Sequence, residues 1–278
     1  MNLSSYAKAH LPAPITGMLK IAKYRFEAWT FPKQVVSHRY GAHEFKMNIC
    51  DRVAQRWYDR DWEPLPEIEL LRDQGLAPGA LVFDLGAHQC LIAMMLAKVV
   101  GPNGKIVAVE ANHHNAEIAA LNVQMNGVPN VDVIHALISN EVGQDFAIVG
   151  FNSSKRPNNG HKIGSQLVNA LSIDALARTV GWPDIVYIDI EGFEIDALRG
   201  APETLGRRCT WFVELHGDEL LSRYAARNQD VLQFFPSQTF AAYICRETEQ
   251  QFRPLPAGDS PPAERCFMIF VPVAAGPQ

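Results

Sequence analysis

From residue 80 onward, short apolar runs alternate with longer segments of helical period. The runs 80–84, 105–110, 131–135, 184–190, 210–215, 239–245 and 266–272 are rich in Val, Ile, Leu and Phe and are bounded by turn residues, which predicts seven buried strands. Segments 89–100, 113–126, 172–180, 194–199 and 218–234 predict helices between them. Gly101-Pro102-Asn103-Gly104 stops the first helix, and Asn126-Gly127 suits a left-handed cap on the second. The first five strands are joined by helical or long connections, so they are expected to be parallel. The last two flank a polar, Pro-rich loop, 247–264, which suits a hairpin and an antiparallel final strand. The pattern is that of an α/β protein with a mostly parallel sheet.

Residues 1–78 read as an N-terminal extension of mixed helical and β character, and residues 79–278 as the main domain. Segment 15–29 places Lys20, Lys23 and Arg25 among Ile, Leu, Met, Phe and Trp, an amphipathic helix that packs on the domain or lies on a membrane surface. Glu44-Phe45-Lys46-Met47-Asn48-Ile49-Cys50 alternates as a strand does. Residues 54–71 follow, with Trp57, Tyr58 and Trp62 close together. Between the third and fourth core strands, residues 140–179 make a long connection whose stretch 152–160 is polar and rich in Asn. It covers a substrate or is a plain surface insertion.

Composition narrows the class. Of 278 residues, 47% are hydrophobic and 20% charged, with a formal net charge of −5. The basic residues are scattered, which argues against a nucleic-acid partner. Five cysteines lie far apart with no C-x-x-C pair, so reduced thiols of a cytoplasmic protein are expected rather than a disulfide scaffold or structural zinc. No apolar run reaches the ~18 residues that span a bilayer. Residues 1–10 are polar and do not read as a secretory leader.

Chemistry gathers at the strand ends. Leu81-Val82-Phe83-Asp84-Leu85-Gly86 closes one strand on an acid and a glycine, and Lys105-Ile106-Val107-Ala108-Val109-Glu110 closes the next on a carboxylate. With the helix between them they make a βαβ unit whose mouth suits a nucleoside. Glu110 can accept from both hydroxyls of a ribose. Asp84 puts negative charge where a pyrophosphate would sit, which favours adenosine joined to a cationic group over a dinucleotide. A nicotinamide oxidoreductase would want G-x-G-x-x-G in this turn, where Gly86-Ala87-His88-Gln89-Cys90-Leu91 stands.

Further along, Asp189 and Glu191 stand two apart at a strand end and can share one side. Glu191 or Glu194 could instead cap the helix that follows. Glu214 and His216 end the fifth strand in the same relation. With Asp189 they make a general-base cluster or a divalent-ion site, or His216 is simply bonded within a loop. Their spacing matches no dedicated metal motif, so a divalent metal is possible but not expected.

Several motifs occur in order along the chain: Phe83-Asp84-Leu85-Gly86-Ala87-His88, Val109-Glu110-Ala111-Asn112, Leu121-Asn122 with Asn126-Gly127-Val128, Leu171-Ser172-Ile173-Asp174-Ala175-Leu176, and Ile188-Asp189-Ile190-Glu191-Gly192-Phe193-Glu194. Together, over residues 57 to 212, the chain resembles the FkbM family of S-adenosylmethionine-dependent methyltransferases. The resemblance implies the Rossmann-like class I methyltransferase fold, seven strands with the last antiparallel. It also implies O-methylation of a hydroxyl on a sugar, glycan or secondary metabolite. Cofactor-binding residues would be Asp84, Gly86, Ala87, His88, Glu110, Ala111, Asn112, Ala136 and Asp189, and catalytic residues Asp189, Glu191 and His216. Segment 56–64 is similar to the family's stretch before the first motif and could fold over the cofactor through Tyr58 or Glu63, or be simple packing.

The chain departs from the family at His88, in an Asn place, and at Cys90, in a Gly place. A thiol at Cys90 would crowd the methionine end of the cofactor and weaken binding. A binding protein with a decayed catalytic site therefore stays open as an alternative. Neither the acceptor nor the oligomeric state is written in the motifs.

Overall fold

The pattern of runs becomes a sheet in the computed structural model, which describes residues 30–143, 145–148 and 166–273. The segments 15–29 and 152–160 discussed above lie outside the described residues. A hairpin comes first, β1 (Gln34–Tyr40) antiparallel to β2 (His43–Ile49), turning at Gly41 with φ +58°. β2 is the strand its alternation predicts. β1 was not legible, because its positions are mostly exposed and Val35 faces solvent.

Helix α1 (Arg52–Tyr58) is capped by Asp51, whose carboxylate accepts the Ala54 N–H at 2.8 Å. Helix α2 (Pro66–Asp73) starts on a proline, whose missing N–H costs nothing at that position. The chain then alternates: β3 (Leu81–Leu85), α3 (Leu91–Val100), β4 (Lys105–Glu110), α4 (His113–Met125), β5 (Val131–His135), β6 (Leu137–Ile138), β7 (Asp145–Ile148), β8 (Gln166–Leu171) and α5 (Ile173–Val180). It continues through β9 (Ile185–Ile188), α6 (Glu194–Arg199), α7 (Pro202–Leu205), β10 (Thr210–Leu215), α8 (Asp218–Leu221), β11 (Phe240–Arg246), β12 (Arg253–Pro254) and β13 (Cys266–Pro272).

The main sheet has the order β12-β11-β13-β10-β9-β3-β4-β5. β5, β4, β3, β9 and β10 are parallel, and β13 runs antiparallel to both β10 and β11. All seven expected strands are present, with the two-residue β12 added at the edge. A small sheet, β6-β8-β7, occupies part of the long connection and was not predicted.

The helix expected over 218–234 is a correction. It breaks into α8 and two 3-10 turns, 222–224 and 228–234. Ala225 takes φ +55° and Arg227 is extended. Asn228 is buried, donates its N–H to Asp218 at 2.7 Å, and gives its amide to the carbonyls of Pro262 and Glu264. These long-range bonds outweigh local helical preference.

Strand parity sorts the core into two faces. Phe83, Leu85, Val107, Val109, Val186, Ile188, Trp211 and Val213 pack on one side with α5 and α6. Val82, Ile106, Ala108, Ile185, Tyr187 and Phe212 pack on the other with α3. Tyr40, Phe45, Met47, Ile49, Leu71 and Leu76 join that second cluster, so the N-terminal segment shares the core of the sheet. Asn126, which caps α4, and Asn122 within it accept the N–H groups of Lys46 and Asn48 at 2.8 and 2.9 Å. Each such bond contributes about 0.5–1.5 kcal/mol net, against about 1.5–3 kcal/mol for each fully buried Met, Ile or Phe side chain. Apolar burial therefore holds the hairpin down, and the amides set its register. Among the described residues no helix is long and apolar enough to cross a membrane.

Candidate active site

The chain runs from β3 through α3 to β4 on one side, while β9 pairs with β3 on the other. This reversal point opens a crevice at the carboxyl ends of the strands. A cavity of about 380 Å³ lies there. Asp84, Glu110 and Glu214 each stand two residues beyond a core side chain of the α3-facing side (Val82, Ala108 and Phe212), and Asp189 stands two beyond Tyr187. Period-two geometry therefore sends all four carboxylates to one face.

At the β3–β4 end the loop is held by backbone bonds. Gly86 has φ +92°, and a Cβ there would lie 1.8 Å from the Asp189 carbonyl oxygen, so only glycine fits. Glu110 accepts the His88 N–H at 2.9 Å and the Asn112 N–H at 2.7 Å, one on each oxygen. Burial pushes its carboxyl up to about 7, against the pull of those bonds. Each oxygen keeps spare acceptor capacity. Asp84 is pushed up to about 8, by burial first and then by the charges of Asp189 and Glu110. Its Oδ2 is buried with no hydrogen-bond partner. A buried carboxylate oxygen left without a partner costs free energy until a donor or cation meets it.

His88 adopts φ +46°, and its Nδ1 lies 2.6 Å from the Tyr58 hydroxyl. Burial lowers its pKa to about 4 and raises that of Tyr58 well above the usual phenol range. A neutral imidazole and a protonated phenol thus share this hydrogen bond.

Two of the residues singled out in the sequence turn away from the cavity. Cys90 takes φ +66°, but its thiol is wholly buried in the apolar core beneath α3 and does not line the cavity. What the substitution brings is left-handed backbone at about 1–2 kcal/mol, not crowding of the cavity. Asn112 does not line the cavity either. Its side chain accepts the N–H groups of His114 and Asn115 and caps α4, a use that Asn at this position favours. Asn115, one turn on, reaches the cavity instead.

The β9–β10 end is built from side chains. His216 Nε2 lies 3.4 Å from Asp189 Oδ1, 3.5 Å from Glu214 Oε1 and 3.7 Å from Glu191 Oε2. Its Nδ1 lies 2.7 Å from Glu194 Oε1, which also accepts the Gly192 N–H at 2.9 Å. Glu194 is wholly buried and so serves both the turn into α6 and the imidazole. Glu191 has φ +54° and is followed by Gly192 at +97°, a sharp exit from the strand. Arg265, from the loop before β13, pairs with Glu214.

The charges here are coupled. Burial alone would lower His216, but the bond to Glu194 and the charges of Glu194, Asp189 and Glu191 outweigh it and hold the imidazole above its ordinary value. Burial and Glu214 raise Asp189 well above the carboxylate range. Burial pushes Glu214 up to about 7, while Arg265 pulls it down. His216 does not itself line the cavity; it meets Asp189 and Glu191, which do.

Gly86, Ala87, His88, Ala111 and Ala136 line the cavity, together with Asp84 and Glu110. Trp57, Tyr58 and Trp62 of the N-terminal segment form a further wall, whereas Glu63 is exposed and does not reach it. Sequence reasoning missed Arg265, for which no local signal exists, and Tyr187, which strand parity with Asp189 could have found.

Five parallel strands, a reversed β13 inserted beside β10, and acid-ended β3 and β4 at one cavity define a Rossmann-like methyltransferase. The family model for the methyltransferase FkbM domain matches residues 84–242, more than half of the chain. The protein belongs to that family, and its cofactor is S-adenosylmethionine.

Solved structures with a similar fold include an S-adenosylmethionine-dependent O-methyltransferase from Thermotoga maritima, at 13% identity, TM-score 0.46, covering 89% of this chain and 80% of that one. An FkbM methyltransferase from Methylobacillus flagellatus aligns at 15% identity and TM-score 0.43 over 69% of this chain and 43% of its own. Aeropyrum pernix fibrillarin, with S-adenosylmethionine bound, aligns at 12% identity and TM-score 0.46 over 87% and 83%. No curated protein matches the sequence. The assignment rests on the family match. The residues present fit the cofactor: the unanswered oxygen of Asp84 and the acidic lining suit a ligand that carries a sulfonium and an ammonium.

Proposed function

We propose that the protein methylates a hydroxyl of a sugar, glycan or secondary metabolite. The observation that supports this best is the meeting of two ends in one cavity. Asp84 and Glu110 stand at the β3–β4 side, and Asp189, backed by His216, stands at the β9–β10 side. When bound, S-adenosylmethionine supplies a methyl group on a sulfonium, with a neutral thioether as leaving group.

On this reading Glu110 accepts from the ribose hydroxyls, each such charge-assisted bond contributing about 1.5–3 kcal/mol. Asp84 meets the cationic methionine end, and Gly86, Ala87, His88, Ala111 and Ala136 close around the adenosine side. A hydroxyl acceptor must lose a proton, and an imidazole ringed by carboxylates can take it. Asp189, Glu191 and His216 are assigned that work, and alignment of the acceptor supplies up to ~7–11 kcal/mol. Residues 79–278 carry the transferase unit, with the N-terminal extension roofing its cavity through Trp57 and Tyr58. An acid-lined cavity and a net charge of −5 disfavour phosphate-rich acceptors, which supports a small molecule or glycan over nucleic acid. Five buried, unpaired thiols support a reducing, cytoplasmic setting.

Calorimetry tests the cofactor assignment: S-adenosylmethionine and S-adenosylhomocysteine should bind and NAD should not. Tight NAD binding with no response to the methyl donor would sink it. The second reading, a cofactor-binding protein without turnover, draws on Cys90 and His88 in left-handed backbone within the loop. Radiolabelled methyl transfer across a panel of hydroxylated acceptors separates the two.

A further inference from the structure

We propose that Asp189, Glu214 and His216 bind one divalent cation of the Mn²⁺ class, with Glu194 orienting the histidine from behind. One ligand atom from each of the three lies within 4.8 Å of the others. Nε2 stands 3.4 Å from Asp189 Oδ1 and 3.5 Å from Glu214 Oε1. Donors at about 2.0–2.2 Å from a common ion, at angles between octahedral and tetrahedral, sit roughly 3–3.5 Å apart. The two separations from Nε2 fall there, and the two carboxylates lie within 4.8 Å of each other, close enough for shared coordination.

The orientation of the ring is a second, independent observation. Glu194, wholly buried, meets Nδ1 at 2.7 Å. With Nδ1–H donating to that carboxylate, the Nε2 lone pair faces the two oxygens. A carboxylate behind a histidine is the recurrent means of fixing a metal-binding ring. A third observation concerns the buried acids around the ring. Glu214 Oε1 is buried and paired with Arg265, whose charge keeps the carboxylate available to a ligand beside it. Asp84 Oδ2, in the same cavity, is buried and unpartnered.

Glu67, Asp84, Glu110, Asp189, Glu191 and Glu214 line this cavity, against Arg265 as the one Lys or Arg among the described lining residues. The cofactor, with a sulfonium, an ammonium and a carboxylate, brings only a single net positive charge. One imidazole and two carboxylates form a nitrogen–oxygen donor set, which suits Mn²⁺, Mg²⁺ or Zn²⁺ and disfavours thiophilic ions. The existence of the site is independent of the acceptor. Its use rests on the methyltransferase reading above: the ion would hold the acceptor oxygen, His216 and Asp189 would then serve as its ligands rather than as the base, and the neighbouring Glu191 would take the proton.

The test uses the full chain, stripped with a chelator and titrated with MnCl₂, with free Mn²⁺ followed by electron paramagnetic resonance. S-adenosylhomocysteine binding is measured by calorimetry on the same samples. Saturable binding of one Mn²⁺ per chain is expected. Asp189→Asn and His216→Gln should each weaken it at least about tenfold, and Glu194→Gln, which touches no ion, by roughly 10–100-fold. Should the buried Glu194→Gln variant misfold by circular dichroism, Asp189→Asn, altered at a partly exposed side chain, decides. Absence of saturable Mn²⁺ binding, or binding indifferent to these substitutions, overturns the site while intact S-adenosylhomocysteine binding leaves the transferase reading standing. Mn²⁺ binding with no S-adenosylhomocysteine binding strikes the transferase reading and spares the site.

Discussion

The two ends of the cavity are built differently. At the β3–β4 end, Glu110 is tied to the backbone N–H groups of His88 and Asn112, and Gly86 packs against the Asp189 carbonyl. At the β9–β10 end, His216 is surrounded by side chains of Asp189, Glu191, Glu194 and Glu214. The first end is a mould set by backbone bonds, which on the proposed reading binds the cofactor in the ground state. The second is an electrostatically coupled cluster whose charge can move, which is what a proton-accepting step requires. Binding and turnover should therefore separate by mutation.

The sharpest break is expected at the cluster. Asp189→Asn and His216→Gln should each lower methyl transfer by ~10²–10⁴. Cofactor affinity should stay within about threefold of the parent, since a group acting on the acceptor proton contributes mainly in the transition state. Full activity of both variants on an identified acceptor would remove the catalytic assignment and leave Glu191 or alignment alone.

The converse pattern belongs to the mould. Glu110→Ala should weaken S-adenosylhomocysteine by on the order of 2 kcal/mol, more than tenfold, as read by calorimetry. An unchanged affinity would mean that the ribose is held elsewhere.

Acidity provides a third, smaller contrast. Asp84 and Glu110 are raised by burial to about 8 and about 7, so the folded protein retains protons that the unfolded chain has released. With more protons bound in the native state, stability falls as pH rises. The contribution is complete below about pH 4, where the unfolded carboxyls are protonated too, and is lost as pH climbs through about 7 and about 8. Melting of the free protein should drop by several degrees between weakly acidic and weakly alkaline buffer. Saturating cofactor, bringing positive charge to Asp84, should flatten that slope. A melting temperature that rises across the range would contradict the burial of these acids.

The smallest effect is expected at Cys90. Cys90→Gly relieves left-handed strain but adds chain entropy and removes a packed thiol, so stability should move by no more than ~1–2 kcal/mol. Cofactor affinity should hold or improve. A large loss in calorimetry would give the thiol a positive role that its burial in the core does not suggest.

The mould was legible because its logic is local. A strand that ends Asp-x-Gly and a neighbour that ends in Glu place their acids at one edge by topology alone. Parity then carries Asp84, Glu110, Asp189 and Glu214 to a common face. The cluster was legible only as candidates: Asp189, Glu191 and His216 were named, but the role of Glu194 behind the ring depends on the turn at Glu191 and Gly192. Arg265 arrives from some fifty residues further along the chain and carries no local mark. That the Cys90 thiol turns into the core and the Asn112 side chain caps α4 was not legible, because residue type does not reveal which way a side chain turns when its neighbours compete for it.

What the sequence by itself determined is the frame: seven strands, their order of appearance, the acid-ended βαβ unit and the family. These follow from short-range periodicity and turn chemistry, which one stretch of chain expresses without its partners. What only the tertiary structure decided is the company each group keeps. β1 forms because β2 offers it an edge, and the helix expected over 218–234 breaks because Asn228 finds Asp218 and two distant carbonyls. Asp84 becomes hard to ionise because packing removes its water and sets Asp189 and Glu110 beside it. Burial and electrostatic coupling are properties of what surrounds a residue, and only the folded chain supplies those surroundings.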